Sequence, residues 1–328
     1  MSGAKSAQPA KSKVQKQQAA KQFLNEYLIL IGILVLTVYT CIVQPSFLAA
    51  DNLLSLVRQF VPLGMVALGM TLVIIGGYID LSVAGTFSFM GILSAMLLNR
   101  MGPAAVVVIL VAGALCGLLN AIVLVGCGAR DDSDALFITF GMQTVFGALA
   151  LIANSGNYVA LDQNAFTQFI GSGNLAGIPF MLIIFIIATA ILQFVMKKMP
   201  IGRSIHLTGG NPVAAELCGI PLKKIIIIIY TLTGMLTALG ALIITCRIGS
   251  ALPIAGRNYE ANAILSVTIG GTSLAGGKGS VLNTVLGVAL FTIMANALNM
   301  LGVDPNMQNV WKGVILVAAI WLDSRRTV

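Results

Sequence analysis

The stretch "IGRSIHLTGGNPVAAELCGIPLKK", residues 201–224, decides how the chain is read. It gathers Arg203, His206, Lys223 and Lys224 into a polar segment punctuated by glycine and proline. Apolar runs flank it at 178–196 and 225–246. Each is close to the ~20 residues a helix needs to cross a bilayer. Inside the segment, local signals describe one short helix with both ends marked. Asn211 suits the N-cap and Pro212 the first helical position. Gly219 suits the left-handed residue past the end, and Pro221 blocks resumption. The seven residues from Pro212 to Cys218 are too few to hold a helix alone in water, so the segment must dock on something. Val213 and Leu217, at i and i+4, form a small apolar ridge.

Composition sets the surroundings. Of the 328 residues, 58% are hydrophobic and 9% charged, and mean hydropathy is +0.96. Soluble domains carry about 25% charged residues. Too little polar surface remains to coat a globule, which implies an all-α, polytopic integral membrane protein. The net charge of +8 is spread out, without the interleaved aromatics of a nucleic-acid surface. Five cysteines (Cys41, Cys116, Cys127, Cys218, Cys246) form no CxxC pair, so free thiols and no metal or cofactor are expected.

Working outward, residues 1–26 read as a disordered basic cytoplasmic tail, and 27–328 as a single membrane domain. A cleaved leader fits poorly, because no A-x-A site follows the first apolar run. About ten spans are expected, at 27–43, 54–76, 82–99, 103–126, 135–153, 178–196, 225–246, 259–273, 280–300 and 308–323. The eighth is short, with glycine-rich ends, and could enter without crossing. An even count puts both termini on one side. If that side is the cytoplasm, the inner pieces hold Lys5, Lys11, Lys13, Lys16, Lys21, Arg130, Lys197, Lys198, Arg203, Lys223, Lys224, Lys278, Arg325 and Arg326. The outer pieces hold Arg58, Arg100, Arg247, Arg257 and Lys312. That bias of 14 to five among the 19 basic residues satisfies the positive-inside rule and makes 197–224 a cytoplasmic loop.

The loop resembles the coupling segment of permease subunits of bacterial ABC sugar importers of the ribose/galactose/xylose type. The shared run stands here as "GRSIHLTGGNPVAAELCGI", departing at Leu207 where alanine is usual. "GGYIDLS" (residues 76–82) and "ANAILSVTIGGTSLAGGKGS" (261–280) resemble two further elements of that family. The region "GARDDSDALFITFGMQ" departs from it, with acidic residues where the family has proline and phenylalanine. The resemblance implies that Gly209, Gly210, Asn211, Pro212, Val213, Ala214, Ala215, Leu217 and Gly219 engage a separate cytoplasmic ATPase. It also implies an external or periplasmic sugar-binding protein, a second permease subunit (identical or not), and a place in the bacterial cytoplasmic membrane.

No catalytic constellation is visible. "TSLAGGKGS" fails as a phosphate loop: glycine is needed at 272 and Ser or Thr at 279, where Thr272 and Gly279 stand. His206 reads as a surface residue. Asp80 stands between apolar runs and reads as the N-cap of a helix starting near Leu81, beside a break in the membrane path. The echo of "GGYIDLS" in "GGTSLAG" (270–276) hints at a repeat. Polar and aromatic residues within spans supply candidates for a solute path: Asp80, Ser82, Phe87, Phe137, Thr139, Asn262, Ser266 and Asn296, with Thr71, Ser88, Asn120, Gln143 and Asn299 beside them. Gly113-x-x-x-Gly117 permits close helix packing.

These readings converge on the channel subunit of an ATP-driven importer of a monosaccharide, not itself an enzyme. The alternatives are a permease of the same superfamily for branched-chain amino acids or nucleosides, or an ion-coupled secondary transporter. The last would want more buried ionisable residues than Asp80 and Glu260. A reporter fused after Val328 is expected to read out on the cytoplasmic side; an external signal would reverse the topology.

Overall fold

The computed structural model describes residues 31–128 and 132–326. The tail at 1–26 lies outside the described residues. The helices are α1 (Ile31–Val43), α2 (Ala50–Ile75), α3 (Val83–Met101), α4 (Ala105–Gly126), α5 (Asp132–Ala153), α6 (Ala165–Ser172) and α7 (Phe180–Lys198). There follow α8 (Pro200–Gly210), α9 (Pro212–Leu217), α10 (Leu222–Ile248), α11 (Tyr259–Ile269), α12 (Val281–Met300) and α13 (Pro305–Arg326). Among the described residues the strands are two-residue pieces. β1 (Val159–Ala160) pairs antiparallel with β4 (Ser250–Ala251), and β2 (Asn174–Leu175) with β3 (Ile178–Pro179). The molecule is an all-α, multi-pass membrane protein.

Among the described residues, six segments are long and apolar enough to cross a membrane: Ala50–Ile75, Val83–Gly126, Ser133–Ala153, Phe180–Lys198, Leu222–Ile248 and Val281–Met300. The 44-residue Val83–Gly126 segment is broken into α3 and α4 at Gly102, whose φ of 58° admits glycine readily. The ten spans read from the sequence are therefore not all matched. The span expected at 259–273 becomes α11, whose 11 residues rise only about 16 Å, half of a bilayer core. Irregular backbone supplies the rest. In α13, Asn306, Gln308, Asn309 and Lys312 in the first two turns dilute the apolar run.

Two helices make the centre. In α2 every residue from Val61 to Ile75 is buried, and α10 is buried along most of its length. Hydrophobic burial cannot drive helices together in lipid, so close contact and hydrogen bonds must. Small residues make that contact. A Cβ placed on Gly69 would meet the Thr233 backbone at 2.9 Å, and Thr233 donates its hydroxyl to the Gly69 carbonyl at 3.0 Å. Gly117 of α4 lies against the Tyr230 carbonyl, and Gly113 and Gly234 lie against each other.

Polar pairs tie the ends. Asn52 and Asn296 exchange amide hydrogen bonds of 3.0 Å, which brings the start of α2 to the end of α12. The β1–β4 pair joins the segment after α5 to the end of α10. These ends share one face; α8 and α9 lie at the other.

Gly117→Ala is expected to push α4 off α10 at a cost of about 1–3 kcal/mol, the usual cost of overpacking. Gly126→Ala, with open space around it, should be neutral. Thermal unfolding of the purified variants in detergent distinguishes the two; equal melting temperatures would contradict the packing described.

Candidate functional site

The loop 201–224 is built as its punctuation suggests. The Asn211 side chain accepts the Ala214 amide at 2.9 Å, Pro212 opens α9, and Gly219 turns at φ 83°. The Ile220 amide donates to the Ala215 carbonyl at 3.0 Å and the Gly219 amide to the Glu216 carbonyl at 2.9 Å, a Schellman end. The helix is one residue shorter than its sequence suggests, with Cys218 as its C-cap. Its side chains divide sharply. Ala215 is 4% exposed and packs inward, whereas Val213 and Leu217 are 68% and 85% exposed. Ala214 is exposed as well.

Gly209 and Gly210, at the end of α8, sit on two glycine turns. A Cβ on Gly209 would run into the Ile75 carbonyl and would stand 2.8 Å from the amide nitrogens of Gly77 and Gly277. A Cβ on Gly277 would meet the Gly210 Cα at 2.7 Å. The Gly277 amide donates to the Ile75 carbonyl at 2.9 Å. The turn at Gly77 has a counterpart elsewhere, after α11, that Gly209 and Gly210 do not touch. After α2, the amides of Gly76, Gly77 and Tyr78 donate to Leu72, Ile74 and Val73, with Gly77 at φ 84°. After α11, the amides of Gly270, Gly271 and Thr272 donate to Ser266, Thr268 and Val267, with Gly271 also at φ 84°. The short sequence echo is thus two copies of one helix end. His206, expected on the surface, is instead half-buried, with Nδ1 3.0 Å from the Gly277 carbonyl. A carbonyl can only accept, so Nδ1 carries the proton. Nothing in the sequence spacing marks this contact, which joins residues 71 positions apart.

Beyond the first turn, residues 79–82 run back into the bundle without helical structure. Asp80 is 2% exposed. One of its oxygens accepts both the Ser82 amide at 2.9 Å and the Ser82 hydroxyl at 2.6 Å. Asn120 donates its side-chain amide to the Ser82 hydroxyl. The Leu81 amide donates to Thr139 at 3.1 Å, and the Tyr230 hydroxyl to the Ile79 carbonyl at 3.3 Å. Asn120 lies six residues from the end of α4, Thr139 seven from the start of α5, and Tyr230 eight from the start of α10. At 1.5 Å per residue, the segment sits roughly 10 Å inside the helix ends. Irregular backbone at that depth is tolerated because protein groups satisfy it. Asp80 is not the N-cap expected: α3 starts at Val83 and Ser82 occupies the cap. Asp80 instead forms a side-chain turn onto Ser82, two residues before the helix.

The other path candidates scatter. Thr139 and Ser82 join Asp80, as above. Phe87 is buried and stacks on Tyr259 with ring centroids 4.0 Å apart. Phe137 is 74% exposed on the outside of α5. Ser266 is buried and donates to the Asn262 carbonyl at 2.7 Å. Asn296 is engaged with Asn52 at a helix end. Asn262 lines a cavity of about 430 Å³ with Arg257, Asn258, Asn306, Asn309 and Lys312. A second cavity, of about 270 Å³, is bordered by Gly85, Ser88, Phe140, Gln143, Ile254 and again Arg257.

A multi-pass bundle with satisfied irregular backbone at membrane depth, polar cavities and a small capped helix at one end is the build of a membrane transport component. The chain belongs to the family described as branched-chain amino acid transport system / permease component, which matches it over residues 52–320. It is a transport subunit rather than an enzyme. It is 36% identical over 300 residues to the ribose import permease protein RbsC of Bacillus subtilis (strain 168), covering 90% of this chain and 92% of the relative. It is 33% identical over 308 residues to the protein of the same name from Haemophilus influenzae, covering 92% and 94%. The autoinducer 2 import system permease protein LsrD of Yersinia enterocolitica is 31% identical over 270 residues, 80% of each chain. No solved structure matches.

Asp80→Ala strips the acceptor from two buried donors of Ser82, and an unpaired buried donor costs about 1–3 kcal/mol. Asp80→Asn keeps a carbonyl oxygen there and should be milder by most of that amount. Thermal stability of the two purified variants decides; equal losses would show that the charge, not the acceptor, is needed.

Proposed function

We propose that this chain forms the membrane path of an ATP-binding-cassette importer for a monosaccharide. Similarity to ribose import permeases over nine tenths of both chains carries this reading. On it, the polypeptide crosses the bacterial cytoplasmic membrane about ten times, with both termini in the cytoplasm. It pairs with a second permease subunit, identical or related, and receives solute from an external binding protein. A separate ATPase supplies the energy.

The α9 helix supports the ATPase contact. A leucine 85% exposed at the tip of a polar loop costs hydration unless something covers it. Val213 and Leu217 form one ridge, and Ala214 beside them leaves room for a groove wall. Ala215 acts differently from its neighbours: buried under α9, it seats the helix on its own chain. Gly209 likewise faces inward, and Gly210 beside it is exposed against Gly277. Of the segment implied by resemblance, then, Val213, Ala214 and Leu217 are the outward half. Gly209, Gly210, Asn211, Pro212, Ala215 and Gly219 shape and seat it.

The family description favours a second substrate reading, a branched-chain amino acid. Uptake into proteoliposomes holding the assembled importer separates them: D-ribose transport that leucine does not inhibit supports the sugar, and the reverse overturns it.

Replacing both Val213 and Leu217 by Asp should weaken ATPase binding about tenfold or more. A buried apolar anchor at an interface is worth about 2 kcal/mol, and about 1.4 kcal/mol is tenfold. Co-purification of the ATPase with the intact, folded permease is the measurement. Unchanged co-purification would make α9 a mere turn.

A further inference from the structure

The chain returns from the β4 strand in an irregular run, residues 252–258, before α11 begins. This run does not stay at the membrane surface. Gly256 lies against the Ala84 carbonyl in the first turn of α3, and its amide donates to the Ser88 hydroxyl at 2.9 Å. Tyr259 stacks on Phe87. Pro253, Ile254 and Arg257 face Phe140, Gln143 and Thr144 across the smaller cavity. Gln143 is the midpoint of α5, 11 residues from its start and ten from its end. The rise per residue puts it about 15 Å from either end.

Arg257 therefore stands near the middle of the bilayer, yet its side chain is exposed. A guanidinium at that depth cannot face hydrocarbon at low cost. Its stem is too short to carry the charge some 15 Å to an interface. Glu260 interacts with it electrostatically, yet Arg257 remains exposed. Arg257 also lines both cavities. The larger one continues toward Asn306, Asn309 and Lys312 in the first two turns of α13. The Asn52–Asn296 pair puts the neighbouring end of α12 on the face opposite α9. Arg257 thus borders both cavities, which between them run from that face to mid-membrane.

We propose that these two cavities are the outer half of a water-filled solute path, and that Arg257 is the residue at mid-depth that contacts the solute. The lining suits a polyhydroxylated solute. Arginine offers five donors in a planar fork, and the amides of Gln143, Asn262 and Asn309 both donate and accept. Phe140 and Ile254 supply apolar wall. Arg257 and Lys312 disfavour a cationic solute. The proposal rests on the importer reading for the identity of the solute, but not for the presence of water.

Thiol labelling tests it. Exposed Cys127 and Cys218 are changed to Ser, and Arg257→Cys, Gln143→Cys or Asn309→Cys is introduced singly into the full chain in lipid nanodiscs. Ile191→Cys, on the exposed apolar face of α7, is the lipid control. A charged methanethiosulfonate should modify positions 257, 143 and 309 at least tenfold faster than position 191. Three variants guard against one failing to fold. Rates no faster than at position 191 would overturn the water-filled path. In the assembled importer, excess D-ribose should slow modification at position 257 severalfold, and L-leucine should not. Slowing by leucine alone would leave the path standing and overturn the sugar reading. Slowing by neither would remove Arg257 from the solute's contacts and overturn that half of the proposal.

Discussion

The contact of Gly209 with the Ile75 carbonyl and the Gly77 and Gly277 amides is the constraint on which the α9 end of the molecule depends. No side chain fits there, so backbone meets backbone from three parts of the chain. The polar loop is therefore not a tether between α7 and α10. It is clamped at its centre, with His206 fastening the clamp through the Gly277 carbonyl. Any displacement of α9 has a short, stiff route into the end of α2 and the segment at Gly277. The glycine turn after α2 and the segment at Gly276–Gly277 receive it, and the first leads into the irregular backbone of residues 79–82 rather than into another rigid rod.

Two irregular stretches inside the bundle, residues 79–82 and 252–258, are what lipid forbids unless protein groups satisfy them. Both are made tolerable by donors and acceptors from neighbouring helices. Asp80, Ser82, Asn120, Thr139 and Tyr230 satisfy one; Ser88 and the Phe87–Tyr259 stack hold the other. Close glycine contacts along α2, α4 and α10 keep the frame around them rigid. A stiff centre is thus set apart from edges that carry polar groups.

Much of this was legible in the sequence, for physical reasons. The caps of α9 are local, so Asn211, Pro212 and Gly219 announce them. Long apolar runs announce α2, α4, α7, α10 and α12. Other features were not legible because they arise between distant segments. His206 has no local partner, and its acceptor is a backbone carbonyl that any residue could offer. Asp80 read as the cap of a helix near Leu81, but α3 starts at Val83 and the carboxylate accepts from Ser82, a contact that spacing from the apolar run does not reveal. By contrast, the short eighth span, with its glycine-rich ends, announced a segment that need not cross, and α11 indeed stops after 11 residues. Arg257 read as a surface charge at a span edge; only its position beside Gln143 reveals its depth. Ala215 could not be told from Ala214 until the fold turned one inward.

The rigidity of the clamp can be measured directly. Arg203 on α8 and Lys278 beside Gly277 are both exposed and can carry spin labels through Arg203→Cys and Lys278→Cys. Pulsed electron paramagnetic resonance on the assembled importer would read their separation with and without ATP. The account predicts one narrow distance distribution, unchanged through the cycle, because loop and glycine turns move as one body. A separation that shifts or splits with ATP would mean that α8 slides on the turns, and that the clamp does not carry the motion.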